Sequence, residues 1–141
     1  MDDKKRKYYT WIGVAIGIIT FTAIKFFLFK VPSIDKQIML IASEFNKTCP
    51  IMIDADTRLD NMLAQPGKNM VYNYTLVNML KDSLNPGQIE STIKPMMIQS
   101  VKSHPDMEYQ RKNKIILSYN YRDKLGEHVL QFKIGPNDYL E

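Results

Sequence analysis

Three hydropathy rhythms divide the chain. Tyr8 to Phe29, YYTWIGVAIGIITFTAIKFFLF, is twenty-two residues long, with Lys25 as its only charge and no polar face. At 1.5 Å per helical residue such a run spans roughly 33 Å, against about 30 Å of bilayer hydrocarbon. A buried globular helix rarely continues so far without a polar side. The pattern predicts one transmembrane anchor over 8–30, with Tyr8, Tyr9 and Trp11 at one interface and the Lys25 stem reaching headgroups at the other. The run ends Lys-Phe-Phe-Leu-Phe-Lys with no small-x-small cleavage site after it, so retention as a signal-anchor is expected.

The second rhythm has the 3.6 period. Val31-Pro32 breaks the apolar run and Ser33 is placed to cap a new helix, whose stripe is Ile34, Ile38, Ile41 and Phe45, ending near Asn46. Further along, Asn85-Pro86-Gly87-Gln88 has the form of a helix start, with Asn85 as cap, Pro86 at the first helical position and Gln88 able to close a capping box. Ile89, Ile93, Met97 and Val101 supply its inward stripe, and Pro95 predicts a kink or break.

The third rhythm has period two. Pro50-Ile-Met-Ile53 is a short strand candidate, followed by the polar corner Asp54-Ala-Asp-Thr-Arg-Leu-Asp60 and a turn at Gln65-Pro-Gly-Lys68. Met70, Tyr72, Tyr74 and Leu76 alternate with Val71, Asn73, Thr75 and Val77 as a half-buried strand. Ile115 to Arg122 and His128 to Ile134 alternate likewise about the turn Asp123–Gly126, which predicts a hairpin with His128 on its apolar face. The resulting fold class is α+β: one transmembrane helix, then a small head over 31–141 in which two helices cover one face of an antiparallel sheet.

Charge changes the picture by its distribution. The formal net charge of +4 sits in the first thirty residues, and residues 31–141 carry equal numbers of basic and acidic side chains. A neutral head gives no support for a nucleic-acid surface. Lys4, Lys5, Arg6 and Lys7 crowd one flank of the apolar run. That bias predicts a cytoplasmic tail over 1–7, a single pass through the inner membrane, and a head outside the cytoplasm, which in a Gram-negative cell is the periplasm. Membrane lipid is then a partner. Gly13 and Gly17 form a G-x-x-x-G that allows close helix packing and hence a homo-oligomer within the bilayer.

Candidate chemistry is thin. Cys49, His104 and His128 are the whole supply of thiol and imidazole, and Cys49 before Pro50 reads as a small structural thiol rather than a nucleophile. Asp54, Asp56 and Asp60 resemble an oxygen cage, but the segment lacks the glycine and distal glutamate of an EF-hand loop, so a capped turn with Arg58 pairing to a nearby carboxylate is expected, with no metal and no cofactor. Asn46-Lys-Thr48 and Asn73-Tyr-Thr75 match the glycosylation sequon at about chance frequency. Tyr72, Tyr74, Tyr119 and Tyr121, at alternating positions, read as core of the sheet rather than as a platform for stacking a sugar or base.

The stretch Phe45-Asn-Lys, Pro50-Ile-Met-Ile-Asp54, Thr57-Arg-Leu-Asp60, Gly67-Lys and Tyr72-Asn-Tyr-Thr-Leu76, with Tyr119-Asn-Tyr-Arg-Asp-Lys-Leu-Gly126, resembles a loose group of short, uncharacterised bacterial envelope proteins. The resemblance implies an envelope location and no enzymatic activity. It also implies a cysteine late in the second helix, where this chain has Ser100 and Ser103. Together these features point to a membrane-anchored accessory or adaptor protein that binds other proteins of an envelope complex and is not an enzyme. The alternative is a tethered small-ligand-binding or hydrolytic protein built on the corner Asp54, Asp56, Arg58 and Asp60.

Overall fold

The computed structural model describes residues 32–140, and those from Ser33 onward fall in one compact unit. The segments expected as tail and anchor, with Gly13 and Gly17, lie outside the described residues. Among those that are described, no helix is long and apolar enough to cross a membrane.

The first helix, α1, spans Ile34–Asn46, and the Ser33 hydroxyl accepts the Lys36 N–H at 3.3 Å as its cap. The strands are β1 (Ile51–Met52), β2 (Thr57–Gln65), β3 (Asn69–Leu76), β4 (Ile116–Arg122) and β5 (His128–Ile134). Between β3 and β4 lie α2 (Pro86–Ser103) and the short α3 (Glu108–Asn113), each preceded by a 3-10 turn, and α4 (Pro136–Tyr139) follows β5. The five strands form one sheet in chain order.

The sheet corrects the expectation of an all-antiparallel arrangement, because β3 and β4 run parallel while the other three neighbours are antiparallel. A parallel neighbour needs a long crossover, and residues 77–115 supply it with α2 inside. A second correction concerns β2, whose sequence does not alternate cleanly. Leu59 lies opposite Tyr74, but Asn61 lies opposite Asn73, so Asp60 is an extra residue on the β2 side. The bulge converts the inward set to Leu59, Met62 and Ala64, a spacing that hides the strand from a period-two reading. The turn that joins β2 to β3 holds Gly67 at φ +84°, a left-handed conformation that costs glycine little.

Three smaller expectations also change. His128 is exposed, because a second bulge places Tyr121 opposite Leu130 but Arg122 opposite His128, which takes up Val129 and turns the imidazole away from the core. Helix α2 runs unbroken through Pro95. On α1 the buried residues are Ile38 and Ala42, whereas Ile41 and Phe45 are each 39% exposed. The stripe is wider than the surface available to cover it.

The core lies between one sheet face and the helices. Ile38, Met70, Ile115, Leu117, Ile134 and Val101 are its most enclosed apolar residues. Burial of an aliphatic side chain contributes about 1.5–3 kcal/mol each, so this small set accounts for much of the cohesion of the head. Asp123, also buried, joins distant segments: its carboxylate accepts the N–H groups of Lys81 at 3.0 Å, Leu125 at 2.8 Å and Glu127 at 2.9 Å. Burial opposes the charge, yet these backbone donors together hold the carboxyl below the usual aspartate range. The start of the crossover is thereby tied to the β4–β5 turn.

Candidate functional site

The parallel pairing of β3 and β4 sets two Tyr-Asn-Tyr tripeptides side by side, with Tyr72 opposite Tyr119, Asn73 opposite Asn120 and Tyr74 opposite Tyr121. Alternation then sends all four tyrosines to the helix-bearing face. Ring centroids are 5.2 Å apart for Tyr72 and Tyr119, 5.0 Å for Tyr74 and Tyr121, and 5.2 Å for Tyr119 and Phe132, with interplanar angles from 11° to 26°. The rings use their faces on one another, within the range of ~4.5–7 Å at which aromatic pairs attract. Burial raises the phenol pKa of all four and pushes Tyr74 up to about 12. On the opposite face the amide of Asn73 donates to Asn61 at 2.7 Å and accepts from Asn120 at 2.9 Å, a cross-strand row of side-chain amides.

Helix α2 lies over this stack without closing on it. Its ends are fixed: the Asn85 side chain caps the start through the Gln88 N–H at 3.2 Å, and Arg111 donates to the Val101 and His104 carbonyls at 2.6 and 2.8 Å near the end. In the middle, Ile93, Met96, Met97 and Ser100 form one wall of a cavity of about 310 Å³, and Tyr74, Leu76 and Tyr121, with Ile53, Asp54 and Thr57, complete it. Met96 is 69% exposed and Ile53 56%, so two large apolar side chains stand at the rim. A sequence signal for this existed in Met96-Met97: adjacent helical residues cannot both face the core, and one of the pair must look outward.

The polar corner does not gather into one site. Asp54 accepts the N–H groups of Asp56 at 2.8 Å and Thr57 at 2.7 Å, and the first of these bonds holds its carboxyl below the usual range. Asp56 accepts from the Asn78 amide at 2.8 Å. Arg58 Nε meets Asp60 Oδ1 at 2.6 Å, and the Thr75 hydroxyl donates to the other oxygen of Asp60. Asp54 borders the apolar groove, whereas Asp60 borders a separate concavity with Asn61, Asn73, Asn120 and Arg122.

Groups with nucleophile chemistry are dispersed. Burial pushes the Cys49 thiol up, away from the thiolate. His104 caps a 3-10 turn by accepting the Asp106 N–H at 3.3 Å. Among the described residues no group of three or more His, Cys, Asp or Glu is arranged to hold a metal ion.

The family model described as "Domain of unknown function (DUF8479)" matches residues 33–130, from the cap of α1 into β5. The chain belongs to the DUF8479 family. No curated protein matches this DUF8479 chain. Three solved structures share its fold at low sequence identity. A Pseudomonas aeruginosa protein described as a candidate secreted protein is 15% identical with a TM-score of 0.60, over 74% of this chain and 91% of that one. The type II secretion system pilotin AspS of Vibrio cholerae is 10% identical with a TM-score of 0.56, over 74% and 91%. The type 2 secretion system pilotin EpsS of Vibrio vulnificus is 11% identical with a TM-score of 0.54, over 74% and 94%. None of the three is described as an enzyme.

Proposed function

We propose that this DUF8479 chain is a protein-binding accessory subunit of the bacterial cell envelope, and that the groove between α2 and β3–β4 receives apolar side chains of its partner. The observation that carries this reading is the groove itself, an apolar wall with Met96 and Ile53 left exposed at its rim. Its volume of about 310 Å³ stands at the small end of ligand cavities, which run to ~1,000 Å³. A few side chains of a docked segment fit such a space better than a whole cofactor does. Methionine suits the task, because its unbranched, polarizable side chain repacks around different contours. The fold likeness to two secretion-system pilotins supports an accessory role in the envelope. In this proposal residues 8–30 anchor the chain in the inner membrane, residues 1–7 remain in the cytoplasm and the head lies outside it.

The test is photo-crosslinking in cells from a reactive residue placed at Met96, with Lys124 on the β4–β5 turn as control. A discrete adduct from Met96 alone, lost when Met97→Glu charges the groove, is the expected result. Equal labelling from both positions, or none from Met96, overturns the proposal. A periplasm-active reporter fused after Glu141 tests the orientation independently.

A further inference from the structure

The two edges of the sheet are finished differently. On one side β1 has only two residues, and beyond it the Asn46 side chain takes both backbone groups of Met62, donating to its carbonyl at 2.7 Å and accepting its N–H at 2.7 Å. A side-chain amide there stands in for a neighbouring strand. On the other side β5 runs for seven residues, and among the described residues no strand lies beyond it. An edge of that length presents a row of backbone donors and acceptors and is a template for another chain.

The side chains of β5 show which chain fits. Its regular part, beyond the bulge, is Leu130-Gln-Phe-Lys-Ile134, with Leu130, Phe132 and Ile134 buried toward the helices and Gln131 and Lys133 exposed on the other face. An antiparallel copy related by a two-fold axis at Phe132 sets Gln131 opposite Lys133, so that an amide oxygen meets an ammonium on both sides of the axis. On the apolar face Leu130 then meets Ile134, and the row Tyr72, Tyr119 and Phe132 continues into its own mirror sequence in the second copy. An axis at Lys133 is excluded by like charges, and one at His128 falls in the irregular stretch. An axis at Gln131 pairs only three residues of the regular part, whereas the axis at Phe132 pairs all five.

We infer that two copies of this chain pair along β5 and form a continuous ten-stranded sheet, within the usual size limit of ~10 strands. The pairing uses a surface distinct from the groove and is independent of the partner proposed for it. Cross-strand charge pairs contribute ~0.2–1 kcal/mol each, and a charge introduced at position 131 would meet Lys133 twice in the symmetric dimer.

The experiment measures the dimer dissociation constant of the detergent-solubilised full chain by sedimentation, with wild type, Gln131→Glu and Gln131→Lys. The first substitution places a carboxylate opposite Lys133 and the second a like charge. The expected result is tighter association for Gln131→Glu and weaker for Gln131→Lys, about tenfold apart in Kd, with thermal unfolding measured well below the Kd unchanged because residue 131 is exposed. On a Cys49→Ser background, a mixture of Gln131→Cys and Lys133→Cys chains should oxidise to the mixed dimer in preference to either homodimer, since directly paired strand positions fall within disulfide reach. A monomer at 100 µM overturns the inference, as does a dimer indifferent to both substitutions, which would place association elsewhere, such as Gly13 and Gly17. Either failure leaves the Met96 crosslink untouched.

Discussion

The two long helices cover the same sheet face and are held to it by different means. Helix α1 is tied along its length: Asp35 accepts the Lys68 N–H at 2.7 Å, Ile38 and Ala42 are buried, and Asn46 is bonded to both backbone groups of Met62. Helix α2 is fixed at its ends and touches the sheet through residues that are mostly half-buried, with Val101 its one buried residue. Directional bonds draw α1 against the strands, whereas the middle of α2 meets them through side-chain packing and leaves a gap there. The groove lies under the helix that has fewer buried residues.

Substitutions at equivalent inward positions should expose the difference most sharply. Ile38→Ala removes a fully buried side chain and is expected to cost about 3 kcal/mol, whereas Ile93→Ala, at the groove wall, should cost about 1 kcal/mol. Urea unfolding checks the ratio, and equal costs would mean that α2 is as firmly seated as α1. Asn46→Ala comes next, at about 2 kcal/mol, because the Met62 N–H and carbonyl both lose their partner at a part-buried site.

Alkaline pH separates Tyr74 from the rest of the tyrosine stack. A phenol whose pKa is raised on folding stabilises the native state below its unfolded value of 10.0, and that contribution is lost as pH rises from there through the folded value. Unfolding measured against pH should therefore show stability falling above pH 10, and ultraviolet titration should show Tyr74 ionising at about 12, before Tyr72, Tyr119 and Tyr121, which burial holds higher still. The smallest effect belongs to Met96→Ser. The side chain is 69% exposed, so unfolding should shift by less than about 0.5 kcal/mol, while crosslinking from a reactive residue placed instead at Ile53, on the same rim, falls. A larger loss of stability would show that Met96 packs into the fold rather than standing open at its rim.

Much of the fold was legible where one face dominates a segment. The caps at Ser33 and Asn85, the inward stripe of α2, the Gly67 turn and the β4–β5 hairpin follow from local rules. Strand β2 was hidden, because the bulge at Asp60 breaks its period, and bulges depend on the partner strand rather than on local preference. The site was less accessible. Asn46 and Asn73 match a glycosylation pattern in sequence, yet their amides serve the strand edge and the cross-strand row. The four polar residues of the corner are near in sequence, but bend and bulge direct them to separate surfaces.

Sequence by itself determined the alternation of helix and strand, the neutral head and the apolar run before it, because each depends on neighbours within a few positions. Tertiary structure decided that β3 and β4 run parallel, that the two Tyr-Asn-Tyr segments meet in register and that α2 stands off from the sheet. Those outcomes depend on groups 40 or more residues apart, such as Asp123 with Lys81 and Ser118 with Asn69. Periodicity states which face of an element is apolar, and only chain closure decides what that face meets.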